Sequence, residues 1–239
     1  MTHLPNLKGA NEAMKKTDYL TELDVKKLQQ EANNNNPLAI RLLATLHCHG
    51  VQVEQDYKIG FQLFVKAAKL GDTEAQYNLS MMYENGIGIP KNVLKSIRYG
   101  NLAAQGGNKN ALIHMAFRYS YGEGIIINPK LALDYFKKAA ELESDVAMFE
   151  VGLIYHKGIA VKRNLDMAAH WYKKAIALGN DDANFNLAAI KDDNKVIRSR
   201  TSSYENGKNV HHYEFIGTLQ DYKKYLDKEY EKIFEVNNF

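Results

Sequence analysis

Cysteine is nearly missing from this 239-residue chain: Cys48 stands alone. That excludes an intramolecular disulfide and fits a reducing compartment. No apolar run reaches the roughly 20 residues a membrane helix needs. The opening stretch, MTHLPNLKGANEAMKK, lacks the apolar centre of a secretory signal. An excess of either charge is absent too, because 31 Lys and Arg face 28 Asp and Glu, for a net +3. So small a surplus is no footprint of a nucleic-acid or membrane-surface binder. The expectation is a cytoplasmic protein with no nucleic-acid partner and no membrane insertion. Signatures of chemistry are also missing: there is no P-loop, no H-E-x-x-H, no C-x-x-C and no S-x-x-K. No catalytic residue, metal site or cofactor is expected. Proline is scarce as well, with four against sixteen glycines.

Those glycines recur at a fixed step. Gly71, Gly107 and Gly179 are spaced by multiples of 36 residues, with Glu143 in the missing place. The same step relates Ala75, Ala111, Ala147 and Ala183, then Leu79, Met115, Val151 and Leu187, then Tyr83, Tyr119 and Tyr155. Gly86, Gly122 and Gly158 follow, as do Ala67, Ala103, Ala139 and Ala175. A period of this length means stacked supersecondary units. It also disposes of Gly86-Ile-Gly88 as a phosphate loop, since Gly122-Glu-Gly124 repeats it as a turn.

Each unit reads as two helices. The first opens at a cap column of Asn36, Asp72, Asn108, Ser144 and Asn180, and the second at Asp56, Asn92, Asn128 and Asn164. Ala75, Leu79, Met82 and Tyr83 form the apolar stripe of one first helix. Few positions in such a stack tolerate proline; Pro37 and Pro129 follow caps, where a missing N–H costs little. The fold class is therefore an all-α solenoid. Residues 1–32 supply an N-terminal segment and capping helix, with Tyr19, Leu20, Leu23, Val25, Leu28 and Ala32 as its stripe. Residues 33–191 hold four repeats and a degenerate fifth. A polar loop, 192–210, leads to a C-terminal amphipathic helix, 211–239, carrying Phe215, Leu219, Tyr222, Leu226, Tyr230 and Ile233. That helix covers the open end of the stack or lies along its groove.

The unit AKLGDTEAQYNLSMMYENGIG, Ala68 to Gly88, resembles the Sel-one-like repeat, a relative of the tetratricopeptide repeat. The closing part of that motif stands at Ala168–Ala175, AAHWYKKA, with a weaker copy at Ala132–Ala139. The resemblance implies a right-handed superhelical solenoid whose first helices line a concave face. It implies a non-catalytic scaffold that binds a protein or peptide there, as an adaptor or as an immunity protein sequestering a toxin. Partner-binding residues on that face would be Arg41, Tyr77, Met81, Ile113, Phe117, Phe149, Leu153 and Phe185. A second implication is a β-lactam- or peptidoglycan-acting enzyme, known among secreted relatives. Those relatives are cysteine-rich, unlike this chain. His47-Cys48-His49 reads as an imperfect first repeat, because neighbouring helical residues point apart. Cys48 has no recognisable base beside it.

Overall fold

The computed structural model describes residues 22–190, 197–205 and 208–216. Ten helices run in order: α1 (Glu22–Asn33), α2 (Pro37–His49), α3 (Tyr57–Lys69), α4 (Thr73–Asn85), α5 (Val93–Gln105), α6 (Lys109–Tyr121), α7 (Pro129–Glu141), α8 (Asp145–Lys157), α9 (Leu165–Ala177) and α10 (Asp181–Ile190). Helices α2 to α9 all have thirteen residues. They form four helix–turn–helix repeats, and α10 opens a fifth. The described residues fall into two compact units, divided between Lys138 and Ala139 within the span of α7. In the first unit a continuous core runs through Ile40, Leu43, Phe64, Ala67, Leu79 and Met82. Val25 and Leu28 of α1 pack against that core, and Ala32 lies in it. In the second unit Ala147, Val151, Ala168, Tyr172, Ala175 and Ala183 are buried.

Short helices form here because their ends are chemically closed. Asp72 Oδ1 accepts from the Ala75 amide at 2.7 Å, Asn108 Oδ1 from Ala111 at 2.9 Å, Ser144 Oγ from Ala147 at 3.2 Å and Asn180 Oδ1 from Ala183 at 3.1 Å. Each such cap is worth about 1 kcal/mol. First helices end at Gly50, Gly86, Gly122 and Gly158, all left-handed, with φ between 66° and 75°. Second helices are followed by Gly71, Gly107, Glu143 and Gly179 at φ 89°, 80°, 56° and 88°. Glu143 therefore takes the glycine conformation without being glycine, and Ala160 (φ 60°) does so in the column of Gly88 and Gly124.

Helix pairs approach closely where the side chains are small. A Cβ added at Gly60 would lie 2.4 Å from Cys48 Sγ, and one at Gly152 would lie 2.6 Å from the Tyr172 ring. Size is traded between neighbours. Gly100 stands in the column of Phe64, Phe136 and Tyr172, and the Met115 sulfur fills its space, 2.8 Å from where a Cβ would be. Aromatic rings line the adjoining rows, with Tyr83 stacked on Tyr99 and Tyr119 on Tyr135.

Beyond the array the structure departs from expectation. Ile197–Glu205 and Lys208–Ile216 are antiparallel strands, β1 and β2, pairing from Ile197 with Ile216 to Glu205 with Lys208. The polar loop drawn over 192–210 and the helix drawn from 211 onward are corrected over these spans. The reason is local: Asn206-Gly207 occupies the two positions between the strands, and this dipeptide favours two-residue hairpins. His211 and His212 thus belong to β2, opposite Ser202 and Thr201. The rest of the C-terminal segment, from 217, and Tyr19 and Leu20 of the N-terminal stripe lie outside the described residues.

The left-handed column provides a clean test. Glu143→Gly removes αL strain and should stabilise the protein by about 0.5–1 kcal/mol. Gly107→Ala should destabilise it by about 1 kcal/mol although no atom lies within 4 Å of the added methyl, because the strain is in φ alone. Thermal unfolding followed by circular dichroism would read both, as shifts of opposite sign.

Candidate partner-binding face

Side chains of the first helices recur along two columns, Arg41, Tyr77, Ile113, Phe149 and Phe185, and Thr45, Met81, Phe117, Leu153 and Ala189. In the first unit α2, α4 and α6 carry them. Arg41 Nε lies 3.1 Å from Asp72 Oδ2, so this guanidinium ties one repeat to the cap of the next. Tyr77 meets the His114 ring edge-on, with centroids 6.1 Å apart. Burial, and then the Glu84 and Glu74 carboxylates, push its phenol well above the usual tyrosine range. Phe117 stacks on Tyr121 and meets Phe136 edge-on. Met81, Ile113 and Phe117 are half-buried.

In the second unit the columns behave differently. Phe149 is 2% exposed and tilted against Tyr172, and Leu153 is buried as well. Neither offers appreciable surface, whereas Phe185 is 40% exposed. The proposed aromatic column is thus split between half-open positions and core.

Beside these columns lies a polar cluster that apolar periodicity does not anticipate. Arg118 occupies the column of Leu46, Met82 and Ile154, yet it is 3% exposed. Its Nη2 lies 2.9 Å from Glu84 Oε1, and its Nη1 donates to the Glu123 carbonyl at 2.9 Å. Nη2 also reaches Ser96 Oγ at 3.3 Å, and Ser80 Oγ donates to the Ser96 carbonyl. His114 Nε2 lies 3.1 Å from the other Glu84 oxygen. Burial alone would raise the Glu84 pKa, but the hydrogen bond and charge of His114 and the charge of Arg118 outweigh it and hold the pKa at about 2. The readable signal was a charge in a core column together with an acid in the column of Cys48, Ser120 and His156. In the second unit Glu150 is buried, and burial pulls Lys157 down to about 7 against the opposing Glu150 charge. His156 Nδ1 lies 3.2 Å from the Tyr172 hydroxyl.

Reactive side chains are muted. Cys48 is buried, and burial followed by the Asp56 charge pushes its thiol up to about 12. His47 Nδ1 contacts the Glu54 carbonyl, while burial lowers His49. Among the described residues no group of three or more His, Cys, Asp or Glu is gathered as a metal site, and no helix is long and apolar enough to cross a membrane.

The Glu84 carboxylate makes a pH prediction. Its folded pKa of about 2 lies below the ordinary glutamate value of 4.5, so its contribution is present above about 4.5 and is lost as pH falls through about 2. That contribution is roughly 3 kcal/mol. Glu84→Gln should therefore lower stability at pH 5, where the imidazole of His114 also carries charge, by roughly 2–3 kcal/mol, leaving Arg118 buried without its counter-charge. Urea unfolding should show this deficit shrinking toward pH 2.

Comparison with known proteins now places the fold. The Sel1 repeat model matches residues 37–72, 73–108, 109–144 and 145–180, each window opening at the first residue of a first helix. A Sel1 repeat protein from Oxalobacter formigenes is similar, with 30% identity, a TM-score of 0.69 and coverage of 71% of this chain and 49% of its own. A protective antigen of uropathogenic Escherichia coli strains, with an SLR fold, has 26% identity, a TM-score of 0.66 and coverage of 71% and 36%. The chain thus spans half or less of the length of these two proteins. No curated protein matches it. Four matched repeats cover more than half of the sequence, and the chain belongs to the Sel1 repeat family.

Proposed function

We propose that this protein is a non-catalytic cytoplasmic scaffold that holds a protein or extended peptide against its first helices. The observation that carries the reading is a column of large apolar side chains repeated at 36-residue spacing and left partly open. Within the first unit Tyr77, Met81, Ile113 and Phe117 are the contact residues, because aromatic and Met side chains anchor interfaces well. Arg41 serves at the rim, already engaged by Asp72. Phe149 and Leu153 support the face from within rather than touching the partner. The muted thiol of Cys48 supports a binding role over nucleophilic chemistry, since little thiolate exists at neutral pH when the pKa is about 12. Sequestration of a toxin is the specialised form of this reading that the repeat resemblance implies.

The test uses half-buried positions of the first unit. Met81→Glu combined with Ile113→Glu should leave the helical circular dichroism unchanged. It should weaken capture of the native partner by at least about tenfold, as expected when anchor side chains are removed. Full retention of every partner by a folded double variant would refute the proposal. Nitrocefin turnover that scales with protein concentration would restore the β-lactam-directed reading.

A further inference from the structure

The net charge of +3 conceals a segregation. Between Gly86 and Lys130 the sequence holds six basic residues and one acid, Glu123. Arg118 is buried on Glu84, and Lys109 begins α6 at the opposite end from the turns. The other four, Lys91, Lys95, Arg98 and Lys130, are exposed and lie in or beside the turns between first and second helices of repeats two and three. The same edge carries the two most exposed large apolar side chains among the described residues, Ile126 at 87% and Leu94 at 78%, with Val93 at 47%. These groups adjoin. A Cβ added at Gly124 would lie 2.4 Å from Val93 Cγ1, so the turn of repeat three rests on the first turn of α5. Leu94 and Arg98 share a helix face at i and i+4, and Lys95 Nζ lies over the Tyr83 ring.

Repeat architecture gives no structural reason for these side chains. Lys58, Lys130 and Asp166 stand in the Leu94 column, and Glu54, Pro90 and Lys162 in the Ile126 column. A stack that accepts charge at these positions does not need Leu and Ile there.

We propose that this edge docks on an anionic phospholipid surface, with Leu94 and Ile126 entering the interfacial layer and Lys91, Lys95, Arg98 and Lys130 facing the headgroups. The contact is superficial and spans nothing. Charge complementarity supplies the sign: each cation near an anionic membrane adds about fivefold in partitioning. Protruding aliphatic side chains supply the apolar part. A nucleic-acid strand is less well matched, because it stacks on aromatic rings and the tips here are aliphatic. An acidic protein segment is less well matched too, because side chains 87% and 78% exposed have no walls to enclose a ligand. A bilayer needs none.

The experiment is sedimentation of the full chain with vesicles of phosphatidylglycerol and phosphatidylcholine, and with phosphatidylcholine alone. The expected result is partitioning onto the anionic vesicles that weakens with salt and is at least about tenfold lower on neutral ones, as the charge term requires. Leu94→Asp with Ile126→Asp should reduce partitioning at least about tenfold while leaving circular dichroism unchanged, since both side chains stand in solvent. Lys91→Glu with Lys95→Glu should do the same. The Met81→Glu and Ile113→Glu variant should still bind vesicles, which separates this proposal from the scaffold reading. Absence of wild-type sedimentation with anionic vesicles would overturn it, as would equal partitioning of the Leu94/Ile126 variant. If that variant loses a protein partner while the wild type ignores vesicles, the edge belongs to an acidic protein and the lipid assignment fails.

Discussion

Thirteen-residue helices set the terms for this molecule. An α-helix leaves four N–H and four C=O groups without intrahelical partners whatever its length, so in a helix of thirteen residues about a third of the backbone polar groups must be answered from outside it. Isolated, such helices would scarcely form in water. Here the Asn, Asp or Ser at the start of α2 to α10 takes one or two orphan amides, and after the first helices a left-handed residue turns the chain so that later amides reach back to the last carbonyls. Gly86 N donates to the Met82 carbonyl at 2.9 Å and Ile87 N to the same oxygen at 3.1 Å, and Gly122 with Arg118 and Gly158 with Ile154 do likewise. Asp72 extends the logic, since one carboxylate caps α4 and holds Arg41 of the preceding repeat. Closure of the ends lets small residues bring helices together, and that packing positions every side chain discussed above.

The interior is not uniformly apolar, and its buried guanidinium, that of Arg118, is met by a carboxylate, a carbonyl and a hydroxyl. Removing a guanidinium from water is costly unless its charge and hydrogen bonds are answered. Arg118 is answered by Glu84, the Glu123 carbonyl and Ser96, drawn from both helices of repeat two and the turn of repeat three. Glu84 is answered in turn by His114. The cluster therefore crosses a repeat boundary where aliphatic packing would otherwise suffice, and it fixes which atoms of neighbouring repeats must meet.

Much of this was legible beforehand, for a definite reason. A fixed 36-residue step aligns equivalent positions, so caps, turn glycines and paired alanines could be read as columns, each with one physical requirement. The exceptions in a column were harder. Glu143 looked like a lost glycine, yet it keeps the glycine dihedral, because the flanking helices impose the turn. Phe149 and Phe185 share a column but differ in exposure, 2% against 40%. The hairpin escapes a reading by composition and apolar spacing, which makes 192–210 a polar loop and 211 onward a helix. The informative signal was one dipeptide, Asn206-Gly207.

By itself, then, the sequence determined the repeat, its period, its caps and the two-helix unit, all of which rest on interactions within about forty residues. It also contained the basic excess between Gly86 and Lys130, hidden by a total that averages opposite signs. Only the tertiary structure decided which members of each column are spent on packing and which still face solvent. It placed Arg118 on Glu84 across 34 residues of chain and set Val93 beside the turn at Gly124. Burial and ion pairing depend on what the neighbouring helix presents at contact distance. A one-dimensional pattern specifies which face a residue belongs to, but not the neighbour that closes over it.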